Sequence, residues 1–316
     1  MKLLIVKTSS MGDVVHALPA VSDLLAHQSQ WQVDWLVEKP FAGIPALHPG
    51  VRKVWPLAWR KWRKQLLRGE TWRTMGEFRR ALRAEAYDAV LDLQGLLKSA
   101  LWGLQARGPL WGYDGASARE PLVAHLYART AAVPRGLQAV ERNRRLMAAH
   151  VGYAMPSTPP DFRIRAPASS WPVPPRYAVL MPNASRDEKL WPEPHWVAVG
   201  QQLQREGWVP VVLWGGDAEH QRAQRIAAGC DGLVPPFLSV QDAAGVLGQA
   251  HCIVGLDTGF THLGAALGRP TLGIYCDHDP GLAGITGPGP VASLGGKGIV
   301  PTLEAVQREL GRLLAG

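Results

Sequence analysis

Lys7-Thr8-Ser9-Ser10-Met11-Gly12-Asp13 places a carboxylate at the end of a run of small and hydroxyl-bearing residues, directly after the apolar Leu3-Leu4-Ile5-Val6. Small residues with one Gly form a tight turn whose N–H groups can face a bound group. Asp13 can accept a proton from a hydroxyl there, or it can simply cap the next helix. The run is neither a phosphate-binding Gly-x-x-x-x-Gly-Lys-Ser/Thr loop nor a Gly-x-Gly-x-x-Gly dinucleotide fingerprint. A second turn, Asp257-Thr258-Gly259-Phe260-Thr261-His262, follows Cys252 to Leu256 and opens a helical pattern. The first N–H groups of a helix lack partners, so this turn suits a phosphate or diphosphate, with His262 on the same side. Capping by Asp257 or Thr258 alone is the competing reading. An aspartic protease needs two Asp-Thr-Gly triplets sharing one proton, and the chain has one.

Three further stretches carry charge. In Asn183-Ala184-Ser185-Arg186-Asp187-Glu188-Lys189, Lys189 is a point charge suited to phosphate. In Trp214-Gly215-Gly216-Asp217-Ala218-Glu219, Glu219 can accept hydrogen bonds from ribose hydroxyls or serve the helix dipole. Trp59-Arg60-Lys61-Trp62-Arg63-Lys64, extended by Arg68, Arg73, Arg79, Arg80 and Arg83, is offset only by Glu70 and Glu77. Crowded like charges favour an anionic partner: nucleic acid, a lipid head group or an acidic sugar. The ten His are scattered without His-x-x-x-His spacing, so no metal site is expected. Asp277-His278-Asp279 reads as a turn before Pro280-Gly281.

The elements that must position these residues alternate between strand and helix. Residues 3–6, 33–37, 89–93, 177–181, 209–214, 252–256 and 271–275 read as strands. Residues 79–86, 96–104, 194–205, 218–228, 240–247, 261–267 and 303–314 read as helices, and another helix starts or kinks at Pro19. Near-continuous apolar strands between helices predict parallel sheets covered on both faces. The Pro-rich stretch from Met155 to Pro175 is a semi-stiff connector between two α/β domains. These are placed at 1–165 and 166–300, with a closing helix over 301–316. Ligands of open α/β sheets bind beyond the carboxyl ends of the strands, so a cleft between two such domains is the expected site.

With 316 residues, 47 % of them hydrophobic and 19 % charged, the chain is globular and long enough for two cores. A net charge of +8 favours acidic partners. Cys230, Cys252 and Cys276 are isolated and read as reduced thiols. The apolar run near the N-terminus is too short for a signal peptide, and no run is long enough to cross a membrane.

Taken together, these stretches resemble the lipopolysaccharide heptosyltransferases, inverting glycosyltransferases of the GT-B type. Lys7 to Val14 with His16 and Leu18-Pro19-Ala20 is similar to the type I enzymes among them. Lys189-Leu190-Trp191-Pro192, Asp257 to His262, Asp92 to Ser99 and Ala118-Arg119-Glu120-Pro121-Leu122 add to the likeness, which runs over nearly the whole chain. Tyr275-Cys276-Asp277-His278-Asp279-Pro280 departs from the family's Tyr-Gly-Pro-Thr-Asp-Pro, and the Gly-rich tract 281–298 has no assigned role.

The resemblance implies two Rossmann-like α/β domains facing each other across a cleft. The first would bind the acceptor and carry the base, the second the nucleotide sugar. It implies ADP-L-glycero-β-D-manno-heptose as donor, the inner Kdo of Kdo-lipid A as acceptor, and no metal, cofactor or nucleic-acid partner. The place implied is peripheral, on the anionic cytoplasmic face of the inner membrane. Carried over by position, Asp13 is the base. Ala184, Ser185, Lys189, Thr258, Gly259 and His262 surround the donor diphosphate. Glu219 takes the ribose, Leu238 lies by the adenine and Asp257 meets the heptose. Ser10, Arg60, Arg63, Lys64, Gln94 and Arg119 face the acceptor.

Overall fold

The computed structural model describes residues 1–315 and divides the chain between Arg163 and Ile164 into two compact units. In the first, β1 (Lys2–Val6) is followed by α1 (Met11–Val15), α2 (Leu18–His27), β2 (Gln32–Glu38), β3 (Val51–Leu57), α3 (Trp59–Trp62) and α4 (Gly69–Ala84). Next come β4 (Ala89–Asp92), α5 (Leu97–Gly103), β5 (Leu110–Tyr113), β6 (Arg129–Ala131) and α6 (Ala139–Val151). The sheet is parallel, in the order β3-β2-β1-β4-β5-β6. Leu3 to Val6 are fully buried, as a central strand covered on both faces requires. The strand order reverses between β1 and β4, where Val6 pairs with Asp92. The turns after these two strands therefore meet at the topological switch point, the preferred ligand position of such sheets.

Helices α2 and α6 pack together with a buried ion pair between them. Arg144 donates from Nε to Asp23 at 2.6 Å and from Nη2 at 3.2 Å, and Nη2 also reaches the Thr158 carbonyl. The two side chains are only 6 % and 8 % exposed. Removing one partner leaves the other charge buried and uncompensated, at a cost of about 3–5 kcal/mol. Asp23→Ala is expected to lower the thermal midpoint markedly, and Asp23→Leu with Arg144→Met to recover much of the loss. An unchanged midpoint in Asp23→Ala would show that the pair carries no stability.

The second unit holds β7 (Tyr177–Met181), α7 (Glu193–Arg205), β8 (Val209–Val212), α8 (Asp217–Gly229), α9 (Val240–Gln249) and β9 (Cys252–Leu256). It continues with α10 (Gly259–Ala266), β10 (Thr271–Tyr275), α11 (Pro280–Ala283), β11 (Val291–Gly295) and α12 (Leu303–Ala315). Its sheet is also parallel, but in the order β11-β10-β9-β7-β8, with the reversal between β7 and β9. The turns after β7 and β9 are the two that carry Lys189 and Asp257 to His262.

Several elements differ from the sequence expectations. α12 does not stand apart: Val306 and Leu310 are fully buried in the second core with Trp196, and the Trp191 indole donates to the Pro301 carbonyl. Gly316, the last residue of that expected segment, lies outside the described residues. The Gly-rich tract supplies an edge strand, β11. β3, β5, β6 and α6 were not among the expected elements, and α4 begins ten residues before the expected Arg79.

Candidate active site

The turn after β1 is held from beneath by a buried glutamine. Gln94 Oε1 accepts from the Thr8 amide at 2.7 Å, the Thr8 hydroxyl at 2.7 Å and the Ser9 amide at 3.4 Å. Gln94 is itself fixed by Asp92, which accepts from the Gln94 amide, the Ser99 hydroxyl and the Tyr127 hydroxyl. Gly95 then turns with φ +69°, and a Cβ there would meet the Tyr113 ring at 3.2 Å. This brings the Gly95 carbonyl to the Glu120 amide, while Glu120 Oε2 accepts from the Leu97 amide. The segment bearing Arg119 is thereby anchored beside the turn. Gln94, expected to face the acceptor, is engaged in holding the turn.

Asp13 is the third residue of α1, and both readings of it have a structural basis. Its Oδ2 accepts from the Ser10 amide at 3.0 Å and the Ser10 hydroxyl at 2.9 Å, a helix cap. Its Oδ1 instead meets cations: Arg119 Nη2 at 2.9 Å and Lys7 Nζ at 4.0 Å. Burial alone pushes the Asp13 carboxyl up, but Lys7, Arg119 and the Ser10 amide outweigh it and hold the group well below the usual carboxylate range. Lys7 is 4 % exposed and donates to the Leu93 carbonyl at 2.8 Å. Burial lowers it to about 8, against the pull of Asp13. Asp13 is thus ionised at any ordinary pH. Arg119→Ala removes one of its cations and should raise its pKa. The Asp13 carboxyl carbon, followed by NMR titration, is then expected to begin protonating at higher pH than in the parent, and an unmoved onset would show that Arg119 does not hold it down.

A second cluster lies at the end of β2, whose last residue, Glu38, donates its amide to the Thr8 carbonyl. Glu38 is fully buried, and burial raises its pKa despite the opposing fields of Arg60, Lys98 and Arg63. Lys98 also donates to the Ser9 hydroxyl at 3.2 Å, so the basic face and the Asp13 turn are physically joined. Arg60 further lies over the Phe41 ring, and Lys64 is exposed. Glu38 goes unnoticed in the sequence, and Lys7 and Lys98 stand only within longer motifs, with no role of their own. Their partners lie up to 136 residues away, as Asn143 does from Lys7, beyond the reach of any local pattern.

In the second unit, Asp257 bridges two basic groups. Lys189 Nζ donates to its Oδ2 at 2.6 Å, and His262 Nε2 lies 3.2 Å from its Oδ1. Burial pushes Asp257 up, but His262 and Lys189 prevail and hold it well below the carboxylate range. Thr258 is the N-cap of α10, and its hydroxyl lies 3.2 Å from that of Thr261, which donates to the Leu256 carbonyl. A Cβ at Gly255 would sit 2.4 Å from the Thr261 hydroxyl, so a glycine is needed for α10 to start this close to β9. Gly259 is the first residue of α10, where helix amides have no partner within the helix. The result is a helix N-terminus, a lysine and a histidine gathered where strands β7 and β9 diverge.

The other residues expected on the donor side have these surroundings. Ala184 is half-buried against the core, and Ser185 is exposed at the tip of the β7 loop. Glu219 accepts from the Gly215 amide at 2.8 Å, so it fixes the turn after β8. Leu238 lines a narrow crevice with Trp214, Pro235 and Phe260. The Asp277 loop forms turns: Arg186 donates to Asp277 at 2.9 Å, and Asp279 caps α11. Among the described residues, no three His, Cys, Asp or Glu side chains gather to hold a metal ion.

Residues 75–309 match the sequence pattern of "Glycosyltransferase family 9 (heptosyltransferase)". The chain is 42 % identical over 294 residues to lipopolysaccharide heptosyltransferase 1 of Pseudomonas aeruginosa, covering 91 % of this chain and 82 % of the relative. It superposes on the E. coli heptosyltransferase WaaC with ADP at a TM-score of 0.91 and 39 % identity, covering 99 % and 100 % of the two chains. Against WaaC with ADP-2-deoxy-2-fluoro heptose the TM-score is 0.86 at 37 % identity, with 99 % of each chain covered. The fold is that of the GT-B glycosyltransferases.

Proposed function

We propose that this chain, which belongs to glycosyltransferase family 9, the heptosyltransferases, transfers L-glycero-D-manno-heptose from ADP-heptose to the inner Kdo of Kdo-lipid A. The reading is supported by relatives solved with ADP and with an ADP-heptose analogue. What carries it is found within each unit separately: an ionised Asp13 at the switch point of the first, and Lys189, His262 and the α10 N-terminus at that of the second. In an in-line displacement, Asp13 takes the proton of the acceptor hydroxyl as that oxygen attacks the anomeric carbon. ADP leaves from the opposite face, and the configuration inverts. Lys189, His262, Thr258 and the α10 amides take up charge on the departing diphosphate. Glu219 holds the ribose and the Leu238 crevice the adenine, with Ala184 and Ser185 along the diphosphate. Asp257 keeps Lys189 and His262 in place and meets the heptose.

On the acceptor side, Arg119, Arg60, Arg63 and Lys64 bind carboxylates or phosphates, with Ser10 and Gln94 shaping the turn. A base held at so low a pKa is a weak one. An anionic acceptor that draws Arg119 away from Oδ1 strengthens it at the moment of attack. The acceptor's lipid places the enzyme at the cytoplasmic face of the inner membrane. A turnover screen of ADP-heptose against UDP- and GDP-sugars, with and without Kdo-lipid A, tests the reading. Inverted product from ADP-heptose alone, undiminished by chelator, is expected; turnover with UDP-sugars only would assign another donor.

A further inference from the structure

Six exposed large apolar side chains of the first unit fall on α5 and around the start of α4. Leu97, Leu101 and Leu104 follow the i, i+4, i+7 spacing of a single helical stripe, yet all three point to solvent from α5 and its C-cap. The opposite side of α5 is buried through Ala100, Trp102 and Gly103. Beside this stripe stand Leu66, Leu67 and Trp72, the last 58 % exposed with its indole donating to the Leu66 carbonyl. A soluble helix ordinarily turns such a stripe inward, and a contiguous exposed patch marks an interaction surface.

Between α4 and α5 the patch opens into a groove of about 750 Å³. Trp59 and Trp102 form its floor, in edge contact at 5.8 Å, and Trp102 is braced from behind by Phe78 at 5.9 Å. Trp72, Met75 and Leu101 line the apolar walls. Arg63, Arg79 and Lys98 stand at the rim, and Arg68, Arg73, Arg80 and Arg83 continue the positive charge along α4 and its approach. An apolar centre with Trp at its edge and a ring of Arg and Lys is complementary to one environment: acyl chains beneath a layer of anionic head groups. Nucleic acid would match the cations but not the leucine stripe.

From this we infer that the α4–α5 face is a docking surface for an anionic phospholipid bilayer. The leucine stripe and Trp72 enter the interface, the groove receives an acyl chain, and the arginines of α4 contact the head groups. The inference rests on the proposed function only for the lipid character of the acceptor. Lys98 touches both the groove rim and Ser9, so a bilayer on this face lies next to the Asp13 turn.

The test is flotation of the full chain with vesicles of phosphatidylcholine, with and without phosphatidylglycerol, at low and high salt. Binding to the phosphatidylglycerol vesicles, weakened by salt, is expected. Leu67→Glu with Leu101→Glu should weaken it at least about tenfold, while turnover of a water-soluble deacylated acceptor is unchanged. Lipid brominated in the acyl chain should quench Trp fluorescence less in Trp72→Phe than in the parent. Failure to float with either vesicle overturns the inference, even where the soluble acceptor is turned over. Binding that the two leucine substitutions leave intact, or that a DNA duplex matches with the same salt dependence, also overturns it. Vesicle binding with no turnover of any nucleotide sugar upholds this surface and sinks the catalytic reading instead.

Discussion

Asp13→Asn is expected to lower turnover by about 10²–10⁴-fold, the usual contribution of a positioned general base, while ADP affinity and the folded state persist. The substitution keeps the shape and an oxygen able to accept from Ser10, so the cap on α1 survives. It removes the charge that pairs with Arg119 and Lys7 and the lone pair that would take the acceptor proton. ADP titration by calorimetry reads donor binding apart from turnover, because every residue proposed to hold the donor lies at Ala184 or beyond. Unchanged ADP affinity with collapsed turnover assigns Asp13 to chemistry. Normal turnover would place the base elsewhere, and a lost fold would reduce Asp13 to a cap.

Lys189→Ala should cost about 10²–10³-fold in kcat, as the loss of one preorganised group at developing charge typically does. The effect should be largest with the intact sugar nucleotide and smaller in the affinity for ADP, since the departing diphosphate gains charge only during bond breaking. Lys189 is the direct partner of Asp257 at 2.6 Å, so the variant also leaves that carboxylate short of a counter-ion. Lys189→Ala combined with Asp257→Asn distinguishes the two effects. Recovery of most activity would mean that Lys189 serves Asp257 and not the leaving group. Activity that falls below that of Asp257→Asn alone by the same factor assigns it to the diphosphate.

The fold was legible where burial leaves a simple imprint. Leu3 to Val6, Tyr177 to Met181, Cys252 to Leu256 and Thr271 to Tyr275 are interior strands, buried throughout and, apart from Thr271, without a charged or strongly polar side chain. The strands that escaped notice sit toward the sheet edges, where one face needs no apolar residue. β3 carries Arg52, Lys53 and Pro56, β6 is three residues long, and β11 is built from small residues in a Gly-rich tract. The turns bearing Asp13, Lys189 and His262 could be found because each directly follows or closely trails a central strand. Which side chain holds which could not. The Gln94 clasp on Thr8 spans 86 residues, and the Lys7 burial that shapes Asp13's charge depends on the neighbouring Leu93 carbonyl. Local sequence carries the location of chemistry, and tertiary pairing decides how each group is tuned.

The crossing between the two units occurs once, at Arg163 and Ile164, and α12 closes the second core from its own side of that crossing. Each half is consequently an uninterrupted stretch of gene. A single recombination in the codons of the proline-rich connector exchanges the whole second unit without splitting either core. Under the proposed function, new donor preferences arise by shuffling whole cassettes, while the half that bears Asp13 continues to evolve against its own acceptor.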